Sequence, residues 1–262
     1  SHLPSLIGNA LRARGLSAIL EEFSVCPYVP LPKTWDEYLG LLKQSKRSQL
    51  KKALRAFESW AGGEPEITRV KTEAELPEGK RILMALHEER WKADGGAGVF
   101  ASAKFRAFHD QVMRELLAAS ALDLGWLSVK GEPVCAFYNL RHDGRLYFYQ
   151  GGRKLDVPDA VRVGVTMHAF IIRDAIAQGL REYDFLAGAS QYKMSLALAT
   201  RPLVRMRVAR PSSVRELARR GTVRGEVEAK RLREWGRTDL LPRAPPRIQP
   251  LLAKILGKPP TA

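Results

Sequence analysis

Arg145 to Lys193 reads R-L-Y-F-Y-Q-G-G-R-K-L-D-V-P-D-A-V-R-V-G-V-T-M-H-A-F-I-I-R-D-A-I-A-Q-G-L-R-E-Y-D-F-L-A-G-A-S-Q-Y-K, and this stretch decides the fold. Tyr147 and Tyr149 alternate with Leu146 and Phe148, the period-2 pattern of a strand, and Gly151 and Gly152 stop it. Val161, Val165, Ala169, Ile172 and Ile176 then recur every three to four positions, which predicts a helix from Val161 to Gln178 with Gly179 as its C-terminal cap. Arg181 to Leu186 reads as a short buried strand that ends at Gly188. Strand, helix and strand with short connections make a right-handed parallel crossover. Ligands of such units sit at the carboxyl ends of the strands, where helix N-termini offer free amides. The expected site therefore spans Gln150 to Gly152, Arg162 to Thr166 and Gly188 to Lys193.

Working outward, a meander precedes the crossover. Leu122, Leu124 and Trp126 alternate, a turn follows at Lys130-Gly131, Val134 to Leu140 forms the next strand, and Asp143-Gly144 turns the chain into Arg145. Arg201 to Arg210 supplies one more alternating strand after the crossover. Upstream lie helices. Thr34 and Glu37 form a capping box for a helix carrying Tyr38, Leu39, Leu42, Leu50, Leu54 and Phe57 on one face, ended by Gly62 and Gly63. A short strand, Glu66 to Lys71, precedes a helix from Glu78 to Ala93, and Ser102 caps another to Ala119. Glycines 95, 96 and 98 between them suit either a lid or an ordinary interhelical turn. Leu3 to Arg14 reads as a helix closed by Gly15, Ser17 to Val25 as a strand, and Cys26 to Lys33, with three prolines, as an extended connection. The order gives an α+β layout around a mixed sheet.

Two cysteines in 262 residues, Cys26 and Cys135, make neither a disulfide framework nor a metal cage. H-E-E-R-W at His87 lacks the second His of a zinc-protease helix, so no metal is expected, and His87 reads as a surface or hydrogen-bonded structural histidine. Ser190 in G-A-S-Q-Y lacks the second glycine of a hydrolase elbow. No apolar run is long enough to span a bilayer and no signal peptide is seen, so the expected location is cytoplasmic, with attachment to the inner membrane face through the tail as a further option. The net charge of +15 is uneven: residues 201–262 hold 16 Lys/Arg against 5 Asp/Glu, leaving 27 against 23 in residues 1–200. The basic character belongs to an appendage, read as a helix from Ser212 or Ser213 to about Gly236 and then a Pro-rich segment with a short apolar piece, Leu251 to Leu256. The segment Lys43 to Arg55 adds six cations and no acid, either a solvated face or an anion-binding one.

The motifs S-K-R-S-Q-L-K-K (Ser45 to Lys52), L-H-E-E-R-W followed by a glycine loop and Phe100, and D-F-L-A-G-A-S-Q-Y-K (Asp184 to Lys193) resemble the GNAT superfamily. More closely they are similar to its subgroup associated with cellulose and exopolysaccharide biosynthesis, related to the Fem-type peptidyltransferases. The resemblance implies a GNAT-like mixed, mostly antiparallel sheet with flanking helices and one strand-helix-strand crossover. It implies three regions: residues 1–33 as the remnant of an upstream half-domain and its connection, 34–210 as the acyltransferase domain, and 211–262 as the basic tail. A chain that opens on Ser1, inside a helix, fits a longer relative.

The implied activity is transfer of an acyl group from acyl-CoA to an amine or hydroxyl of a small-molecule, glycan or peptide acceptor. Gln150, Gly151 and Gly152 then hold the pantetheine arm, and Arg162, Val163, Gly164, Val165 and Thr166 receive the pyrophosphate. Against the family loop, alignment on Gly164 puts Val161 first and Thr166 last, with Arg162 one residue out of register. Tyr192 matches the family's acid, with Lys193 beside it to hold the acyl oxygen or lower the phenol's pKa. Asp184 reads either as a base or as an ion partner of Lys193 or Arg162, while Arg90, Trp91 and Phe100 fall on the acceptor side. Two other functions fit the same residues. One is a Fem-type transferase fed by aminoacyl-tRNA. The other is a non-catalytic domain docked on nucleic acid or an anionic membrane by its tail, where Trp235 is the sole aromatic stacking platform.

Overall fold

The computed structural model describes residues 3–93, 95–211 and 213. They fall into two compact units, a larger one of Glu22–Leu203 and a smaller one of the described residues up to Glu21 together with those from Val204 on. The tail helix and the apolar piece expected beyond Ser212 lie outside the described residues.

In the smaller unit, helix α1 (Leu3–Ala13) ends at Gly15, whose φ of 76° suits a residue without a side chain. The Arg12 guanidinium reaches back to the Ala18 carbonyl at 2.7 and 3.1 Å, and Glu21 accepts from Arg207 at 3.1 Å.

The larger unit carries the other helices of the described residues. Strand β1 (Ser17–Pro30) enters it from the smaller unit. Two helices follow where the sequence predicts one, α2 (Trp35–Leu41) and α3 (Gln44–Ala61). The Thr34 cap forms as expected, its hydroxyl accepting from Glu37 N at 3.2 Å. Gly40 weakens the helix behind it by about 1 kcal/mol, and Leu42 leaves the helix in an extended conformation to bury its side chain. β1 also runs further than expected. Despite Pro27 and Pro30 it pairs with β6 (Glu182–Asp184) at Tyr28↔Asp184, Val29↔Tyr183 and Pro30↔Glu182, because Pro27 still offers a carbonyl, which Phe185 N–H uses.

Strand β2 (Glu66–Arg69), helices α4 (Leu76–Ala93) and α5 (Ala103–Ala118), and the meander β3 (Leu122–Val129), β4 (Glu132–His142) and β5 (Arg145–Arg153) come next. Lys130-Gly131 and Asp143-Gly144 all take positive φ, the tight turns their sequence demands. Helix α6 (Val163–Ala177) crosses to β6, the short helix α7 (Gln191–Leu196) follows, and β7 (Ala199–Ala209) closes the order β2-β3-β4-β5-β6-β1-β7. β5 and β6 are parallel, and the pairs β1–β6, β2–β3, β3–β4 and β4–β5 are antiparallel.

Period-2 alternation builds a core on each face of the sheet. Cys135 and Phe137 of β4 pack with α3 and α6, including Leu50, Phe57, Phe170 and Ile172. Their neighbours Ala136 and Tyr138 pack with Leu83 and Leu86 of α4 and Met113 of α5. Full burial stabilises each of the large side chains by about 1.5–3 kcal/mol, and α6 buries residues on nearly its whole circumference. Buried Asp123 is satisfied by Arg69 at 2.8 Å and Asn139 at 2.7 Å, which ties β2, β3 and β4 together. No helix among the described residues is long and apolar enough to cross a membrane.

Candidate active site

The crossover opens a wedge. β5 pairs with β6 only over Arg145↔Glu182, Leu146↔Tyr183 and Tyr147↔Asp184, yet keeps its partner β4 as far as Arg153. A bulge opposite Tyr138/Asn139 leaves Tyr149 as the extra residue in β5, and bulges bend and twist the strand that carries them. Beyond Asp184 the chain follows β1 instead: Phe185 N donates to Pro27 O at 3.0 Å and Gly188 N to Val25 O at 3.0 Å. Leu186 turns the chain at φ 56°, held by its N–H on the Asp184 carboxylate at 2.7 Å. The free half of β5 and the start of α6 thus border a cavity of about 350 Å³.

The cavity is lined by Gly151, Gly152 and Arg153 of β5, by Arg162, Val163, Gly164 and Val165 at the start of α6, by Arg90 of α4, and by His168 and Tyr192. Arg162, at φ 47°, occupies the N-cap position without offering a side-chain bond; its carbonyl takes the Val165 N–H at 2.8 Å and the Thr166 N–H at 3.1 Å, and the Val163 and Gly164 amides stay open among the described residues. A Cβ at Gly164 would meet only the Arg153 side chain, Cδ at 3.5 Å and Nε at 3.9 Å, so the protein itself does not require glycine there. Gly152 is different, since a Cβ would lie 2.3 Å from His87 N and 2.4 Å from Leu86 C, where α4 presses on the strand. Arg90, Arg153 and Arg162 have no acidic partner among the described residues, and Asp159 is the one carboxylate in the lining. Arg90 stacks instead over Trp91 at 5.4 Å. Open amides, a glycine and unpaired arginines suit a phosphorylated ligand.

His168 and Tyr192 stack at 5.3 Å with 15° between their planes, and His168 Nδ1 lies 2.8 Å from the Tyr183 hydroxyl. Burial first, then the charges of Lys193 and Arg90, push the His168 pKa down to about 3, so the ring is neutral. Burial raises the Tyr192 pKa, opposed by the Arg90 charge and the Ser190 hydroxyl, which keeps the phenol protonated.

The structure brings together Gly151, Gly152, Arg162, Val163, Gly164, Val165, Tyr192 and Arg90 from among the residues singled out in the sequence. Others point elsewhere. The Thr166 hydroxyl is buried and donates back to Val163 O at 3.1 Å. Gln150 stands beside His87, whose charged form it favours against burial and Arg90, and both ring nitrogens of His87 are sealed without good partners. Asp184 pairs with Arg201 rather than Lys193 or Arg162, and burial raises its pKa while the Leu186 N–H opposes. Lys193 gives its ammonium to Phe185 O at 2.8 Å and Ala187 O at 3.0 Å, bracing the turn after β6 instead of acting on Tyr192; burial lowers its pKa. Trp91 backs Arg90 and the glycine loop. Phe100 packs edge-on against His87 at 4.8 Å and lines a second cavity, between α4 and α5.

Sequence reasoning missed Arg153 and His168. A histidine in the otherwise apolar stretch V-T-M-H-A-F-I-I was the available signal for the second; Arg153 carried none.

Residues 44–194 match the family profile of the acetyltransferase (GNAT) domain. No functionally curated protein matches the chain in sequence. Similar solved folds include the C-terminal domain (DUF2156) of a proposed lysylphosphatidylglycerol synthetase from Agrobacterium fabrum, at 10% identity and TM-score 0.51 over 79% of this chain and 66% of that one. L-PGS from Bacillus licheniformis gives 12% and 0.51 over 80% and 66%. A conserved protein of unknown function from Bacteroides thetaiotaomicron gives 14% and 0.51 over 79% and 66%. The chain thus spans about 66% of the length of each.

Proposed function

The chain belongs to the GNAT acetyltransferase domain family, and from that footing we propose that it moves an acyl group, acetyl in the simplest case, from acyl-CoA to an amine or hydroxyl of a cell-envelope or polysaccharide-related acceptor. The observation that carries this reading is the wedge where β5 outruns β6 beside the uncapped start of α6. CoA brings an already activated thioester, so the chain has to position it, accept charge at the carbonyl oxygen and protonate the departing sulfur. The first-turn amides of α6, with Arg153 and Arg162, suit the phosphates, and the free edge of β5 at Gly151 and Gly152 suits the amide-bearing arm. Tyr192, protonated and on the cavity wall, suits the acid: its hydrogen passes to sulfur as the C–S bond breaks, while the acceptor's N or O bonds to carbon and gives its own proton to water, from which the Tyr192 phenolate is reprotonated.

Calorimetric titration with acetyl-CoA tests this. Saturable heat is expected, and Gly164→Asp should weaken binding by about 10²-fold or more through repulsion at the phosphates. The same variant should keep its stability, since an acid in the first turn of a helix is favourable. Absence of heat at millimolar acetyl-CoA removes the reading.

A further inference from the structure

His168 is one of three buried histidines in the larger unit that face neighbouring aromatic rings, with His87 and His109, and the partner of its Nδ1 fixes its tautomer. Tyr183 is fully buried, and the His168 ring is its one hydrogen-bond partner among the described residues. Two arrangements satisfy the 2.8 Å contact. If Nδ1 carried the hydrogen, the Tyr183 O–H would have nowhere to donate, at a cost of about 1–3 kcal/mol for a stranded buried donor. If the hydroxyl donates, Nδ1 accepts and nothing is stranded. The ring hydrogen then sits on Nε2.

Nε2 of His168 has no protein partner among the described residues, yet it is not sealed in as both nitrogens of His87 are, and His168 forms part of the cavity wall. Phe148 at 4.5 Å, Phe185 at 5.2 Å and Tyr192 at 5.3 Å hold the ring in plane. The result is a rigid, neutral N–H aimed at the space that Tyr192 also faces.

We propose that His168, its tautomer fixed by Tyr183, donates Nε2–H to the carbonyl oxygen of the acyl group; this rests on the acyl-CoA reading of the cavity. No proton changes hands at this position. As the acceptor's lone pair bonds to the carbonyl carbon, the C=O π pair moves onto oxygen, where the N–H meets it. The pair returns when the C–S bond breaks and sulfur leaves with the hydrogen from Tyr192. Burial with the nearby Lys193 and Arg90 charges keeps the imidazole from titrating near neutrality, so the donor is present at any working pH. Tyr183 is a positioning residue and His168 the catalytic one.

Isotope-edited infrared spectroscopy of bound [1-¹³C]acetyl-CoA reads the contact without any acceptor. The carbonyl band should lie below its frequency in water in the parent protein, move back up in His168→Phe, which keeps a ring against Tyr192, and stay partly lowered in His168→Gln, which keeps an N–H. Tyr183→Phe should weaken the lowering, since it releases the tautomer. Nitrogen-15 spectra of the parent protein should show Nε2 protonated from pH 5 to 9, and this decides the tautomer even where a variant does not fold. With an acceptor in hand, His168→Phe should lose about 10²–10³-fold in kcat, the scale of one lost oxyanion donor, with KM for acetyl-CoA little changed. If the parent binds no acetyl-CoA, the functional reading falls and the donor falls with it. If it binds but the band is the same in His168→Phe, or if Nδ1 carries the hydrogen, the donor role alone is overturned.

Discussion

Two cavities of about 350 Å³ each adjoin α4, and they handle charge in opposite ways. In the one between α4 and α5, the cations already have partners: Lys80 pairs with Asp110 at 2.6 Å, Arg81 with Glu78 at 2.7 Å, and Arg106 donates to the Phe100 and Ala101 carbonyls. In the one bordered by the open half of β5, Arg90, Arg153 and Arg162 face the space without an acid among the described residues to hold them. Surface pairs of the first kind contribute about 0–1 kcal/mol and leave little field for a ligand. Cations without an acid beside open helix amides gain no ion-pair energy within the fold and keep their field for a ligand. The difference teaches where to look for binding: where the protein has left its own charges unanswered.

The strongest break of this comparison is at the wall both cavities depend on. Gly152→Ala puts a methyl against the backbone of Leu86 and His87, which cannot swing aside. We expect a loss of about 3 kcal/mol or more, measured by chemical denaturation. A midpoint equal to the parent's would mean α4 rides loosely on β5.

That wall also marks what the sequence could and could not disclose. The crossover, the turns at Lys130-Gly131 and Asp143-Gly144 and the Thr34 cap follow from periodicity and from local backbone demands, and they were legible. The break at Leu42 and the extension of β1 through Pro27 and Pro30 were not, because burial and a partner strand outvoted local signals there. Within the site, the backbone elements Gly151–Gly152 and Arg162–Val165 were legible, whereas side-chain direction was not. Thr166 and His168 sit two residues apart on α6, and one bonds its own helix while the other reaches the cavity. Arg153 entered the cavity unannounced because the splay of β5 from β6 is a long-range event, and Phe100 turned instead into the second cavity, between α4 and α5.

Chemistry should separate from folding at Tyr192. Tyr192→Phe keeps the stack on His168 and removes the acid, so kcat should fall by about 10²-fold with acetyl-CoA affinity nearly unchanged. Parental turnover, or a large drop in Tm, would make Tyr192 a packing residue.

A smaller effect distinguishes the ligand cavity by pH. His168 has a folded pKa near 3, below the 6.5 of an unfolded histidine. A depressed value contributes stability that is present above pH 6.5 and is lost as the pH falls toward 3. Each pH unit in that window should cost on the order of 1 kcal/mol through this residue. Urea titrations from pH 7 to 4 should show that slope in the parent and a shallower one in His168→Phe; equal slopes would mean the ring is not held neutral.

The most direct test of the contrast between the cavities is the salt dependence of acetyl-CoA binding in paired variants. Replacing Arg153 and Arg162 together with Ala should weaken binding and flatten its dependence on salt, because two phosphate contacts and their screening disappear together. Lys80→Ala, in the cavity whose charges are already answered, should leave affinity and salt dependence as they were. Equal binding by the Arg153/Arg162 variant, or an equal loss on replacing Lys80, would contradict the account.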